Sequence, residues 1–318
     1  MDPFIVLFGF GVGILVGLTG MGGGSLMTPL LIVVFGVKPV TAVGTDLTYG
    51  AITKTLGSWR HLRHRTVDTS LSTWISFGSV PAAVLGVYVL HAIEDSYGRQ
   101  FDDILLTAVS AALLFTGAAV LTRALLQGKV SDRERFDQTR RNKAIAILLG
   151  VFVGFVLGVT SAGSGTLIAV GLILLFRLAP RQVVGTDVFQ AAILLWAASI
   201  AHIVSGNVDW ALAGTILLGS LPGVWIGSHL ITKVRVEALR MGLAIVLIGS
   251  GLGLLSKAGV GIPPAVIAAV PIVLLVVLVG QGRLARRADR DRHDLPPPLG
   301  DGVELPPPSA PVPATREP

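Results

Sequence analysis

The 318-residue chain contains no cysteine and few charged side chains. The absence of cysteine excludes disulfide bonds and thiolate metal sites. Charged residues make up 14% of the chain against 52% hydrophobic residues, and the charges fall in a few clusters between long apolar runs. A soluble protein of this size would need a polar coat that these residues do not supply. The composition therefore predicts an all-α polytopic membrane protein in the lipid bilayer of the cell membrane.

Several motifs of enzymes and cofactor-binding proteins are also missing. The glycine cluster at 20–25 lacks the Lys-Ser/Thr ending of a nucleotide-binding loop, and no His, Asp or Glu residues stand at metal-ligand spacing. No Gly-x-Ser-x-Gly elbow surrounds Ser161. We therefore expect no enzyme activity, no catalytic residue, no metal and no cofactor. The net charge of +6 comes with basic loops between apolar runs, a pattern typical of cytoplasmic loops, so we expect no nucleic-acid partner.

The glycine cluster occurs twice, as Gly20–Ser25 and, in altered form, as Ser161–Thr166. Aligning Gly17 with Gly158 gives an offset of 141 residues (158 − 17). Six features sharing one register without a gap indicate an internal duplication. The same offset pairs Pro39 with Pro180, Val43-Gly-Thr-Asp46 with Val184-Gly-Thr-Asp187, His61 with His202, Asp68 with Asp209, Pro81 with Pro222 and Gly86 with Gly227.

The apolar runs predict the helices. Two of the runs have only about ten residues and reach ~15 to 18 Å, well short of the ~30 Å hydrocarbon core, so we expect broken or re-entrant half-helices there. The helix over 40–59 is expected to be interrupted at Gly44-Thr-Asp46. The predicted helices are 4–20, 26–35, 40–59, 69–90, 104–122, 144–160, 167–176, 182–204, 210–231, 238–255 and 263–281.

These helices and the polar stretches between them define four segments. We expect a first transmembrane repeat at 1–122, a basic cytoplasmic connector at 123–143, and a second repeat with a final span at 144–282. Residues 283–318 are first basic and then rich in Pro-Pro-Pro triplets. With almost no apolar residues to bury, this cytoplasmic tail is expected to be disordered.

Loop charge predicts how the repeats are oriented. Residues 60–65 carry three Arg, whereas their counterparts at 201–206 carry no Lys or Arg. By the positive-inside rule these two loops lie on opposite sides of the membrane. The N-terminus is then outside, the C-terminus is cytoplasmic and the two repeats are inverted. Inverted repeats with broken helices are typical of secondary transporters, whose site lies near the bilayer midplane.

The two glycine clusters stand at the start of the short helices. There the first N–H groups have no partner within the helix, and glycine lets a ligand approach them. This arrangement predicts an oxyanion site; the alternative is that the glycines only allow close helix packing. An anion in this site would be held by neutral dipoles, because Lys and Arg lie in loops apart from Lys54. The candidate substrate-binding residues are Gly22, Gly23, Gly24, Ser25, Thr45, Asp46, Ser161, Gly163, Ser164, Gly165, Thr166, Thr186, Asp187 and Gln190.

Asp46 and Asp187 are ionisable residues within apolar helices, which is costly and usually functional. A carboxylate repels a bound anion unless it is protonated, so both residues are candidates for proton coupling. The alternative is that each caps the helix that continues after the expected break.

These motifs resemble those of the TauE/SafE sulfite exporter family of membrane permeases. The resemblance rests on Gly17-Leu-Thr-Gly-Met-Gly-Gly-Gly-Ser25, Pro29, Pro39 and Val43-Gly-Thr-Asp-Leu47, repeated over Gly158–Val188, and it covers about residues 4–280. The second unit departs from the first, with Val170 in place of Pro29 and Ser164 in place of Gly23. The resemblance implies a permease that exports a small sulfur-containing anion, such as sulfite, sulfoacetate, thiosulfate or another organosulfonate.

The sequence thus predicts a secondary transporter that works by alternating access. One alternative is an uncoupled anion channel that uses the same donors. Another is a membrane scaffold whose Pro-rich tail binds partner proteins.

Overall fold

The computed structural model describes residues 3–19, 24–126, 136–163, 165–230 and 236–276, and their regular elements are helices. The chain up to Leu275 forms one compact unit, and a second unit begins at Val276. The helices are α1 Pro3–Thr19, α2 Gly24–Val33, α3 Pro39–Arg63, α4 Thr69–Tyr97, α5 Phe101–Leu126, α6 Arg140–Thr160, α7 Thr166–Leu174, α8 Pro180–Val204, α9 Trp210–Leu230, α10 Val236–Lys257 and α11 Pro264–Val276, with a short 3₁₀ turn Gly98–Gln100 before α5.

Five of these helices are long and apolar enough to cross a membrane: α4, α5, α6, α8 and α9. Large apolar side chains point away from the protein along them, as at Phe77, Leu148 and Trp225, each more than 60% exposed. Such side chains lose nothing when lipid tails surround them. The all-α polytopic membrane fold predicted from composition is confirmed. The Pro-rich tail lies outside the described residues.

Both short helices are present, with ten residues in α2 and nine in α7. The expected interruption of α3 is wrong, because α3 continues through Gly44-Thr-Asp46. A Cβ at Gly44 would collide with the Asn207 carbonyl, so this glycine allows a close approach and does not break the helix. The predicted loop at 60–65 is also partly wrong, because α3 runs to Arg63. The turn follows at His64 and Arg65, and φ of Arg65 is 52°.

Two seams of glycine bring helices into backbone contact. In α1, a Cβ at Gly9 would lie 2.7 Å from the Ile216 carbonyl oxygen of α9. Such spacing of glycines every four residues places them on one face, where no side chain separates the two backbones. The second seam repeats the first at the offset of 141. The contacts are Gly9, Gly13 and Gly17 with Ile216, Ser220 and Val224, and Gly150, Gly154 and Gly158 with Ile75, Ser79 and Ala83.

Helices α3 and α8, which are counterparts at the same offset, pack against each other in opposite chain directions. A Cβ added at Gly50 of α3 would lie 3.3 Å from the side chain of Leu195 in α8. A Cβ added at Gly57 would lie 3.2 Å from the side chain of Val188. Residues later in α3 therefore meet residues earlier in α8. Both helices have 25 residues, and these contacts lie close to the middle of each.

Candidate functional site

One of the polar contacts that join the repeats lies at Asp46, which is buried in α3 with 1% of its surface exposed. Asp46 Oδ2 accepts a hydrogen bond from Thr28 Oγ1 of α2 at 2.6 Å. It accepts a second from Ser161 Oγ, just after α6, at 2.8 Å. Hydrogen bonds to a carboxylate from two hydroxyl groups favour its charged form and offset part of the cost of burial. The structure therefore joins Asp46 and Ser161, two candidates from different repeats.

Ser161 reaches Asp46 because the chain turns sharply after α6. Ser161 adopts a left-handed conformation with φ of 58°, and its amide N donates to the Leu157 carbonyl oxygen at 2.8 Å. This is a helix C-cap built on a residue other than glycine, a conformation that needs support from surrounding contacts. The hydrogen bond to Asp46 supplies such a contact.

Asp187 is the counterpart of Asp46 and is also buried, with 3% of its surface exposed. Its surroundings differ, because the residues at the positions equivalent to Thr28 and Ser161 are Ala169 and Gly20, which have no hydroxyl group. The two carboxyl groups are therefore not chemically equivalent. The alternative that these residues cap helices after a break is wrong, because each lies inside a continuous helix.

Thr45 and Thr186 accept hydrogen bonds at the starts of α9 and α4. The Asp209 amide donates to Thr45 Oγ1 at 3.0 Å, and the Asp68 amide donates to Thr186 Oγ1 at 2.9 Å. Asp68 and Asp209 in turn cap the helices that follow them, through Oδ1, at 3.0 and 2.9 Å. The two arrangements are counterparts at the offset of 141, and they tie α3 to α9 and α8 to α4.

Gln190 is fully buried in α8 and bridges two serines of α4. Its Oε1 accepts from Ser76 Oγ at 3.1 Å, and its Nε2 donates to Ser79 Oγ at 3.0 Å. These bonds fix the amide orientation and hold α8 against α4.

The two glycine clusters are described only in part. Gly22, Gly23 and Ser164 lie outside the described residues, while Gly24 and Ser25 begin α2. In the second cluster Gly163 has φ of 92°, Gly165 is the N-cap of α7, and Thr166 is its first residue. The clusters therefore do stand at the starts of the short helices, but their convergence on one cavity stays a prediction.

A second buried polar group lies at the end of α8. His202 has no exposed surface, and its Nε2 lies 3.1 Å from the Gly158 carbonyl oxygen. Because a carbonyl only accepts, Nε2 of His202 carries the hydrogen. Nδ1 of His202 then faces Nδ2, the side-chain amide nitrogen of Asn207, at 3.4 Å. The counterpart His61 is half-buried, and its Nδ1 contacts Thr66 Oγ1 at 2.9 Å. Thr66 and Asn207 are themselves counterparts.

A groove of about 480 Å³ lies away from these polar groups, between α1 and α9. Its lining is apolar, from Pro3, Val6, Leu7, Phe10, Leu218, Gly219 and Pro222. Such a lining offers no donor to an oxyanion, so this groove is not the candidate site.

Thr28 is the functional candidate that the sequence did not reveal. It stands in the apolar run of α2 beside Pro29, with no polar residue next to it. Its counterpart Ala169 could have been a signal, because a hydroxyl present in one repeat and absent from the other marks a difference between the two units.

Five helices long and apolar enough to cross a membrane, joined by seams of glycine, are the features of a multi-pass membrane protein. The chain belongs to the sulfite exporter TauE/SafE family, whose model matches residues 5–254. It is 41% identical over 256 residues to the probable membrane transporter protein YjnA of Bacillus subtilis, covering 80% of this chain and all of the relative. A second protein of that organism, the probable membrane transporter protein YunE, is 26% identical over 77% of this chain and 93% of its own length.

An archaeal relative has a similar extent. The probable membrane transporter protein MJ0441 of Methanocaldococcus jannaschii is 25% identical over 80% of this chain and 95% of its own length. No solved structure matches the chain. The protein is therefore a membrane transporter, and the expectation that it is not an enzyme agrees with the names of these relatives.

Proposed function

We propose that this transporter exports a small sulfur-containing oxyanion, sulfite or an organosulfonate, across the cytoplasmic membrane by alternating access. The family's description supports the choice of sulfite. The observation that carries the mechanism is the packing of α3 against α8. Two counterpart helices that run in opposite directions and meet near their middles are what a twofold relation in the membrane plane requires.

Contacts that recur at the offset of 141 support a twofold relation between the repeats. The Asp68–Thr186 and Asp209–Thr45 hydrogen bonds exchange places under that relation. The loop charges support an N-terminus outside the cell and a cytoplasmic C-terminus. Inverted units can exchange conformations, which would expose one site to each side in turn.

The anion site in this proposal is formed by the two glycine clusters. Backbone N–H groups at the starts of α2 and α7, together with Ser25 and Thr166, would donate to the anion. Thr45, Thr186 and Gln190 are engaged in contacts between helices, so we assign them to the walls of the site. The paired Asp46 and Asp187 would take up protons as the coupling ion.

Proton coupling is supported by the charges near the site. An anion that enters near Asp46 and Asp187 is repelled if both are charged, and protonation of one carboxyl group relieves this repulsion. Such binding links the anion to a proton, since each favours the other by the same free energy.

The test is transport by the purified protein in proteoliposomes, with sulfite, sulfoacetate, thiosulfate, phosphate and acetate as substrates. We expect saturable transport of a sulfur oxyanion, driven by a pH gradient, and counterflow of labelled against unlabelled substrate. The Gly24→Val and Gly165→Val variants should remain folded and lose transport. Transport without counterflow would favour the channel, and normal transport by both glycine variants would show that the clusters serve packing only.

A further inference from the structure

Lys54 is a buried cation in the middle of α3, with 6% of its surface exposed. Among the Lys and Arg residues whose side chains the structure describes, the others are partly or fully exposed. An ammonium group within the hydrocarbon core is costly, so such residues are rare and usually functional. The expectation that an anion is held by neutral dipoles alone does not account for this lysine.

The position of Lys54 follows from the packing of α3 against α8. Leu195 stands 145 residues after Gly50 (195 − 50), and Val188 stands 131 residues after Gly57 (188 − 57). Because the helices run in opposite directions, the sequence separation between facing residues falls by two for each residue along α3. This separation equals the offset of 141 near residue 52. Lys54 is two residues from this point, where α3 meets its own counterpart in α8.

This position suits a group that must serve two conformations. If the repeats exchange conformations about a twofold relation, a residue beside its axis lies equally close to both repeats and can reach a site between them in either state. The counterpart position holds Leu195, so one cation serves both repeats. A lysine beside the axis can serve both units without a second lysine at position 195.

The charge of Lys54 also fits the groups buried with it. Asp46 lies eight residues earlier on α3, and Asp187 lies on α8, the helix against which α3 packs. With one lysine and two carboxyl groups, the addition of an anion is favourable when the carboxyl groups take up protons. A lysine ammonium offers three donors from a compact charge, which matches the oxygens of a sulfite or sulfonate group.

We propose that Lys54 is the cationic group that binds the transported oxyanion, at the crossing of α3 and α8. This proposal rests on the proposed function for its substrate class. It adds a charged donor to the neutral N–H and hydroxyl groups of the two glycine clusters.

The cysteine-free chain allows a direct test of the charge. In the Lys54→Cys variant, 2-aminoethyl methanethiosulfonate attaches an aminoethyl group through a disulfide, which gives a cationic side chain one bond longer than lysine. Methyl methanethiosulfonate attaches a neutral methyl group through the same kind of disulfide. We expect the KM of the transported oxyanion to rise about tenfold or more in Lys54→Cys, because a charge-assisted hydrogen bond is lost. The aminoethyl group should restore the KM of the wild-type protein, and the methyl group should leave it raised.

Lys38→Cys is the matched control, since Lys38 is exposed just before α3 and should show an unchanged KM after either reagent. Lys54→Met is the second variant, and it keeps an unbranched side chain one atom shorter than lysine without its charge. An unchanged KM in folded Lys54→Met would overturn the proposal.

A structural counter-ion has a different signature. If Lys54→Cys and Lys54→Met both fail to fold, and Asp46→Asn or Asp187→Asn restores folding, Lys54 only balances a carboxylate and the proposal is wrong. The proposed function fails separately, if the wild-type protein transports phosphate or acetate and none of the sulfur oxyanions. The KM of the anion that is transported then still decides the role of Lys54.

Discussion

The seam between α1 and α9 allows a matched test of helix packing. A Cβ added at Gly13 would lie 2.7 Å from the Ser220 Cα and closer still to its carbonyl oxygen. A Cβ added at Gly11, two residues earlier on the same helix, would meet no atom within 4 Å. The Gly13→Ala and Gly11→Ala variants therefore add the same methyl group to the same helix in two different surroundings.

The expected difference in the free energy of unfolding can be worked from these contacts. Both variants gain the helix propensity of alanine over glycine, up to about 1 kcal/mol, so this gain cancels between them. At Gly13 the obstructing atoms are backbone, which cannot rotate away, and the helices must separate by roughly 1 Å to restore an ordinary carbon–oxygen distance. Overpacking of this kind costs about 1 to 3 kcal/mol. We expect Gly13→Ala to be less stable than Gly11→Ala by that amount.

The measurement is thermal unfolding of both variants in the same detergent, followed by the fraction that still elutes as a monodisperse protein. Gly154→Ala repeats the test in the second seam, where the Cβ would lie 2.7 Å from the Ser79 Cα. Equal melting temperatures for Gly13→Ala and Gly11→Ala would refute the assignment of Gly13 to a packed interface.

Three further predictions concern the caps, the topology and the carboxyl groups. Thr45→Val and Thr186→Val each remove the acceptor of one helix-start amide, so we expect similar losses of about 1 to 3 kcal/mol in unfolding experiments; a loss in only one variant would contradict the equivalence of the two caps. Leu62→Cys and Ile203→Cys should react with an impermeant maleimide from opposite sides of the membrane, and labelling of both from one side would refute the inversion. Asp46→Asn should flatten the pH dependence of transport while substrate binding is retained, and an unchanged pH profile would remove Asp46 from proton coupling.

The helix positions could be predicted from the sequence because each follows from a long apolar run. Predicted and observed bounds of α8 differ by two residues at its start, and α9 differs by one at its end. The two short helices were also predictable, since their runs cannot span the hydrocarbon core. Hydrophobic pattern decides these features locally, without knowledge of distant residues.

The continuity of α3 could not be predicted in the same way. Glycine costs about 1 kcal/mol in a helix, so Gly44 beside a threonine and an aspartate reads as a break. What outweighs this cost is the close approach of the Asn207 backbone, 163 residues away in the sequence (207 − 44). Likewise the sequence identified Asp46 and Ser161 separately, but their hydrogen bond depends on the left-handed turn after α6.

Contacts that recur in both repeats differ in kind from those that occur once. The recurring ones are the glycine seams and the threonine caps, which hold helices together through backbone atoms and neutral hydroxyl groups. Other polar groups occur in one unit only, since the counterparts of Thr28, Ser161 and Lys54 are Ala169, Gly20 and Leu195. Under alternating access the recurring contacts have equal free energy in both conformations, so they cannot favour either. The balance between the two states is then set by the residues that differ between the repeats, among them the polar groups that occur once, and a proton or an anion shifts it only through its different contacts in the two states.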